Sequence, residues 1–230
     1  MNINGLTLDF LGHDGFVIRS EHVSIAIDPF HVPASLEPVD LILITHGHFD
    51  HCSVEDIHTL LGPKTVVVGP ADIQSAILKI EGAHLQPIEP GDLLEFGTVK
   101  VEAVPAYNLT KFRDAEKKVV FHDKRERFVG YVITHGSTII YHAGDTDVIP
   151  EMHKLTGHGK QGNRFIALLP VSGTYVMTAE EAAEAASLLK PDVAIPMHYG
   201  AGVVGTVDDA RRFVELCRDS GLHAEILEKK

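Results

Sequence analysis

The sequence predicts an α/β protein on three observations: strand-like runs alternate with helix-like segments through both halves, two of the helical segments open on capping signals, and several strand runs end in histidine or aspartate. Apolar or alternating runs mark strands at Leu6 to Leu11, Phe16 to Arg19, Val23 to Ile27, Leu41 to Thr45, Thr65 to Val68 and Val99 to Val104. Between them, Ser53-Val54-Glu55-Asp56 is a capping-box-like helix start, Ile57, Leu60 and Leu61 supply one apolar face, and Gly62-Pro63 ends the helix. A second helix is expected over Ala71 to Ile80, with Ile73, Ile77 and Ile80 on one side.

After a charged segment the alternation returns. Strands are expected near Phe128 to Thr134, Thr138 to Tyr141, Phe165 to Leu169, Val193 to Ile195 and Ala224 to Leu227. Thr178-Ala179-Glu180-Glu181 opens a helix that runs to about Leu189 before Pro191, and Val207 to Asp219 is amphipathic. Two comparable halves of strands with outer helices suggest two sheets packed face to face, although a single doubly wound sheet fits the pattern too.

The length of 230 residues fits one domain over 1–230, and a hydrophobic fraction of 44% is ample for its core. A formal charge of −12 argues against indiscriminate attraction to nucleic acid or anionic membranes. The N-terminal residues show no basic-then-apolar signal, and no apolar run approaches the roughly 18 residues of a membrane helix. The expectation is therefore a soluble, cytoplasmic protein acting on a small molecule, with a homo-oligomer left open. Cys52 and Cys217 form no disulfide framework: Cys217 falls on the stripe Ala210, Phe213, Val214, Cys217, and Cys52 fits a small residue at a helix entrance better than a ligand or redox centre.

His46-Gly47-His48-Phe49-Asp50-His51 places three imidazoles and a carboxylate in six residues directly after the run Val39 to Ile44. Imidazole nitrogen and ionised carboxylate are ligands for zinc, manganese and ferrous iron, and four on one loop exceed what one tetrahedral ion takes from a single segment. Other strand runs end on the same chemistry: Val23 to Ile27 runs into Asp28-Pro29, Thr138 to Tyr141 into His142-Ala143-Gly144-Asp145, and Val193 to Ile195 into Pro196-Met197-His198. Taken singly these are weak, since Asp145 before Thr146 would equally cap a following helix; taken together they suggest a composite centre.

Thr45-His46-Gly47-His48-Phe49-Asp50-His51, Ala143-Gly144-Asp145-Thr146 and Met197-His198 resemble the signature of the metallo-β-lactamase superfamily. Leu11-Gly12-His13, Ala26-Ile27-Asp28-Pro29 and Val104-Pro105-Ala106-Tyr107-Asn108 are similar to its small metal-dependent hydrolase branch, near the ascorbate-6-phosphate lactonases. The resemblance spans most of the chain and implies an αββα four-layer sandwich. It also implies that His46 and His48 hold one metal, Asp50, His51 and His198 another, with Asp145 bridging; zinc is the first expectation, manganese or iron the alternatives.

One position departs from the family pattern. Many members supply a third histidine to the first metal where this chain has Asn108, and an amide oxygen is the poorer ligand. If an amide, a water or nothing coordinates there, Asn108→His should tighten that metal; otherwise His122 is the first candidate to complete the site. Asp28 is expected to support the ligand loop, and His13, His122 and Tyr175 to contact substrate or ligands.

The stretch from Asn108 to Arg127 is locally basic and reads either as a solvated excursion or as a lid attracting an anion. The implied activity is metal-dependent hydrolysis of a small anionic ester, lactone or phosphodiester by a metal-activated water, with Asp50 and Asp145 as catalytic groups. A non-catalytic metal-binding scaffold and an iron-dependent redox enzyme are the other classes.

Overall fold

Seven strands pair in chain order into one sheet: β1 (Asn2–Ile3), β2 (Leu6–Gly12), β3 (Gly15–Arg19), β4 (Ser24–Ile27), β5 (Val39–Leu43), β6 (Leu61–Gly69) and β7 (His84–Pro87). They belong to a unit of Met1–Glu89 and Leu227–Lys230, while Pro90–Ile226 form a second compact unit; the computed structural model describes residues 1–160 and 162–230. In the first unit, β2 to β4 alternate in direction and β4 to β7 are parallel. Two reversals make β2 run with β4 and β5, so Gly12, Ile27 and Leu43 end at one edge. The residues delivered there are His13 and Asp14, Asp28, and the histidine loop.

Helix α1 (Val54–Leu60) begins where the sequence signals it: the Ser53 hydroxyl accepts from Asp56 N–H, and Ile57 and Leu60 are buried in an apolar cluster with Leu11, Ile42, Ile44 and Val67. The helix expected from Ala71 to Ile80 is shorter. A 3₁₀ turn at Ala71–Ile73 leads into α2 (Gln74–Ile77), and Ile73, Ile77 and Ile80 are nevertheless all buried in the same cluster.

The second unit holds a separate sheet ordered β15-β14-β13-β12-β9-β8, from β8 (Leu93–Phe96), β9 (Val99–Pro105), β12 (Val129–His135), β13 (Thr138–His142), β14 (Arg164–Pro170) and β15 (Val193–Met197). Between β9 and β12 lies a small hairpin, β10 (Phe112–Asp114) with β11 (Val119–Val120). Strands β13, β14 and β15 are parallel, and β9 runs with them through two antiparallel steps at β12. Pro105, His142, Pro170 and Met197 therefore end at one edge, followed by Asn108, Asp145, Ser172 and His198.

Helices α3 (Ala179–Leu189) and α4 (Val207–Asp219) start on full capping boxes, Thr178 with Glu181 and Thr206 with Asp209. α3 packs its alanine-rich face, including Ala182, Ala186 and Leu189, against β14, and α4 lies against α3 and β15.

The expected α/β class is present as two distinct sheets, which excludes the single doubly wound alternative. Two other expectations are not met. Ala224 to Leu227 is not a strand: it makes one bridge, Ala224 to Ala194, before the chain passes into the first unit at Leu227, where Lys230 N–H donates to Phe10 O at 3.0 Å. No helix follows Asp145 until the 3₁₀ turn at Pro150–Leu155, so Asp145 caps nothing. Among the described residues no helix is long and apolar enough to cross a membrane.

Candidate metal centre

The first unit gathers its donors by hydrogen bonding outward from Asp28. The Asp28 carboxylate, fully buried, accepts from Thr45 N–H at 2.8 Å and from the Thr45 hydroxyl at 2.5 Å, and His51 Nδ1 lies 2.8 Å from its Oδ2. An ionised carboxylate only accepts, so His51 carries a proton on Nδ1 and presents Nε2 as its basic nitrogen. That Nε2 faces the carboxylates of Asp14 at 3.5 Å and Asp50 at 3.8 Å. His13 Nε2 lies 2.9 Å from Asp50 Oδ2, and donor atoms of His13, Asp14 and His51 fall within 4.8 Å of one another.

His46 is oriented the same way. Thr45 Oγ1 spends its proton on Asp28 and lies 3.0 Å from His46 Nδ1, while His46 Nε2 and His48 Nδ1 converge to 2.9 Å. Two imidazole nitrogens brought together from residues i and i+2 are a chelating pair. The loop between them is fixed by Gly47 N–H donating to Asp72 Oδ2 at 2.7 Å; a Cβ on residue 47 would sit 2.7 Å from the same oxygen.

In the second unit, His122 Nε2 and His198 Nε2 each lie 3.3 Å from Asp145 Oδ2. Asn108 sets His122: its Oδ1 accepts from His122 N–H at 3.0 Å and lies 2.9 Å from His122 Nδ1, while its Nδ2 donates to Tyr175 O at 2.9 Å. The backbone donor on one side and the backbone acceptor on the other fix which end of the amide is oxygen, so His122 also carries its proton on Nδ1. Ser172 Oγ, 2.7 Å from His198 Nδ1, holds that ring. Asp147 braces the same loops by accepting from Leu109 N–H and Thr110 N–H, both at 2.7 Å.

His13, Asp28 and His198 adopt φ values of 55°, 40° and 63°. Left-handed backbone is uncommon for residues other than glycine, and three cases directly after strand ends mean that the turns aiming these side chains are held by their surroundings.

Of the sequence-predicted residues, His46, His48, Asp50, His51, His13 and Asp28 cluster within the first unit; Asp145, His198, His122 and Asn108 cluster within the second. Asn108 is engaged through its oxygen with His122, and Tyr175 contributes its carbonyl to Asn108 and its ring to Phe121, 4.7 Å between centroids. Sequence reasoning missed Asp14, Asp72 and Asp147. Asp14 directly follows the His13 motif and was legible by proximity, whereas Asp72 and Asp147 carry no local signal.

The bases of the 108–127 segment are largely neutralised within their own unit. Lys111 pairs with Glu181 at 2.6 Å, Lys124 with Glu151 at 2.7 Å, Arg125 with Asp123 at 2.6 Å and Lys117 with Asp114 at 3.2 Å. Burial, with Asp28 and Asp72 nearby, pushes the Cys52 thiol up to about 12, so it stays protonated and is a packing residue at the entrance to α1. Burial likewise raises Cys217, to about 11.

Residues 7–198 match the β-lactamase superfamily domain. A UPF0173 metal-dependent hydrolase from Thermoplasma acidophilum is 35% identical over 206 residues, covering 86% of this chain and 84% of its own. The crystal structure of a Parabacteroides distasonis protein assigned to the metal-dependent hydrolases aligns at 30% identity and a TM-score of 0.77, covering 98% of this chain and 94% of that one. A metallo hydrolase from Ignicoccus hospitalis aligns at 25% identity and a TM-score of 0.72, over 97% and 95% of the two chains. The chain belongs to the β-lactamase superfamily, among its UPF0173-type metal-dependent hydrolases, and its fold class is that of the metallo-β-lactamase neighbours.

Proposed function

We propose that the chain hydrolyses a small ester, lactone or phosphodiester with two divalent ions, zinc first among them, held by His46, His48, Asp50, His51, His122, Asp145 and His198. The carrying observation is the common orientation of the imidazoles. In His46, His51 and His122, Nδ1 is directed at an oxygen acceptor, which leaves the basic Nε2 turned toward a second imidazole or a buried carboxylate. A lone pair facing a carboxylate is repulsive in a buried site, and a cation between the two turns it into ligation. The family match, running from residue 7 to 198, takes in the donors of both units, which supports reading 1–230 as one hydrolase domain.

A bound divalent metal would lower the pKa of water toward roughly 7 and polarise the oxygen of the scissile group. The chain's part is orientation: Asp28 and Thr45 fix His51 and His46, Asn108 fixes His122, and Ser172 fixes His198. Asp50, one oxygen of which is held by His13, would accept a hydrogen bond from the attacking water, and Asp145 would serve as the carboxylate shared between the metals. No serine or cysteine nucleophile is required, and the protonated Cys52 does not supply one.

The test is equilibrium metal titration with hydrolysis of carboxylic ester, lactone and phosphodiester substrates followed on the same protein. The expected result is two ions per chain and metal-dependent turnover abolished in a folded Asp145→Ala variant. Absence of metal binding, or full activity in metal-loaded Asp145→Ala, overturns the assignment.

A further inference from the structure

Phe49 stands between His48 and Asp50 in the histidine loop, yet its side chain is 68% exposed. One exposed ring is ordinary on a protein surface, but a cluster of rings is a patch with a use. The ring is not isolated. Phe30 meets it edge-on at 6.0 Å, and His31 stacks on Phe30 at 3.9 Å. Phe30 also lies 5.9 Å from the ring of His13, the residue that holds Asp50. A continuous path of rings therefore runs from the donor cluster out to Phe49, all of it within the first unit.

Phe49, Phe30 and His31, with Val54, line an open cavity of about 580 Å³, within the range of small-molecule sites. Its rim is rigid where it matters. The Asp56 carboxylate accepts from His31 N–H at 3.0 Å and Val32 N–H at 2.8 Å, which holds His31 in left-handed backbone at φ 53° and its ring against Phe30. No lysine or arginine lines the cavity, and Glu55 adds negative charge to its edge. Such a surface disfavours an anion, and its ring faces and edges suit an aromatic group stacked edge-to-face.

We infer that Phe49, Phe30 and His31 form a specificity shelf that seats an uncharged aryl group of the substrate, so that the preferred substrates are aryl-bearing neutral esters or lactones. This rests on the hydrolase reading above and narrows it; an offset or edge-to-face ring contact contributes about 0.5–1.5 kcal/mol beyond area burial, or roughly 2- to 10-fold.

The experiment compares ethyl phenylacetate with ethyl acetate on metal-loaded wild-type protein and on Phe49→Ala and Phe49→Leu. Wild type should favour the phenyl ester by about 10-fold or more in kcat/KM, carried mainly in KM. Phe49→Ala should cut that ratio several-fold at unchanged metal content, with Phe49→Leu intermediate. A parallel equilibrium titration with N-phenylacetamide, which carries the ring without a labile ester, should show weaker binding to Phe49→Ala. An equal ratio in all three proteins, equal amide binding, or a fall in oligomer mass on Phe49→Ala overturns the shelf, the last because Phe49 would then be covered by a second copy. If neither ester is hydrolysed, the ester assignment under the proposed function is at fault, and the amide titration alone decides the shelf.

Discussion

At the scale of single residues, Asn108 shows how a missing ligand is replaced. The resemblance implies an imidazole where this chain has an amide, from which a weak first metal and a gain from Asn108→His were expected. In the structure the Asn108 oxygen is already committed to the backbone and ring of His122, whose Nε2 points at Asp145. On the proposed reading the imidazole would come from His122, fourteen residues downstream, with the amide as its holder. Asn108→His is therefore expected to weaken metal binding, by the roughly 10- to 100-fold that loss of a supporting partner costs, and His122→Ala to cost more. Competitive titration with a chromophoric chelator measures both; a tighter Asn108→His protein would return Asn108 to the ligand shell. The donors His46, His48, Asp50 and His51 were legible because they are contiguous. His122 was less so, because its meaning depends on a contact to Asn108 that only the hairpin loop creates.

At the scale of elements, what the sequence conveyed followed from local chemistry. α1 and α3 were readable because a hydroxyl three residues before an acidic residue is a mechanism for satisfying helix N–H groups, and α4 because its apolar face repeats at helical spacing; all three caps are made. β7 and β8 were missed because their burial is partial and their composition mixed, so neither shows the period of a buried face. Ala224 to Leu227 looked like a strand by hydropathy alone but has only one bridge to build on.

The element that aims Asp145 also depends on a residue with no chemistry of its own. A Cβ on Gly130 in β12 would lie 2.7 Å from the carbonyl oxygens of His142 and Ala143, where β13 leaves the sheet. Backbone cannot retreat as a flexible side chain can. Gly130→Ala is expected to destabilise by about 1–3 kcal/mol or more and to loosen metal, because the displaced turn carries Asp145. Chemical denaturation and metal titration on this variant should move together; a destabilised variant with wild-type metal affinity would mean that the turn adjusts without moving Asp145.

At the scale of the whole molecule, the buried charge links stability to metal. A chain of formal charge −12 keeps Asp14, Asp28, Asp50 and Asp145 in its interior. Like charges gathered out of water oppose folding, and divalent cations that bind only the folded chain offset them. Linkage sets the size of the effect: free metal at 100 times its dissociation constant stabilises the folded state by about 2.7 kcal/mol. In a protein of 150–250 residues each kcal/mol moves Tm by roughly 2–4 °C, so chelation is expected to lower Tm by about 5–10 °C. Zinc should restore it, and Asp145→Ala should blunt both changes by weakening the bound state. Differential scanning calorimetry with and without chelator reads this directly. A Tm indifferent to chelator, in protein shown by elemental analysis to have been loaded, would mean that the folded chain carries its buried carboxylates without cationic help, and the argument from facing imidazoles and carboxylates would fall with it.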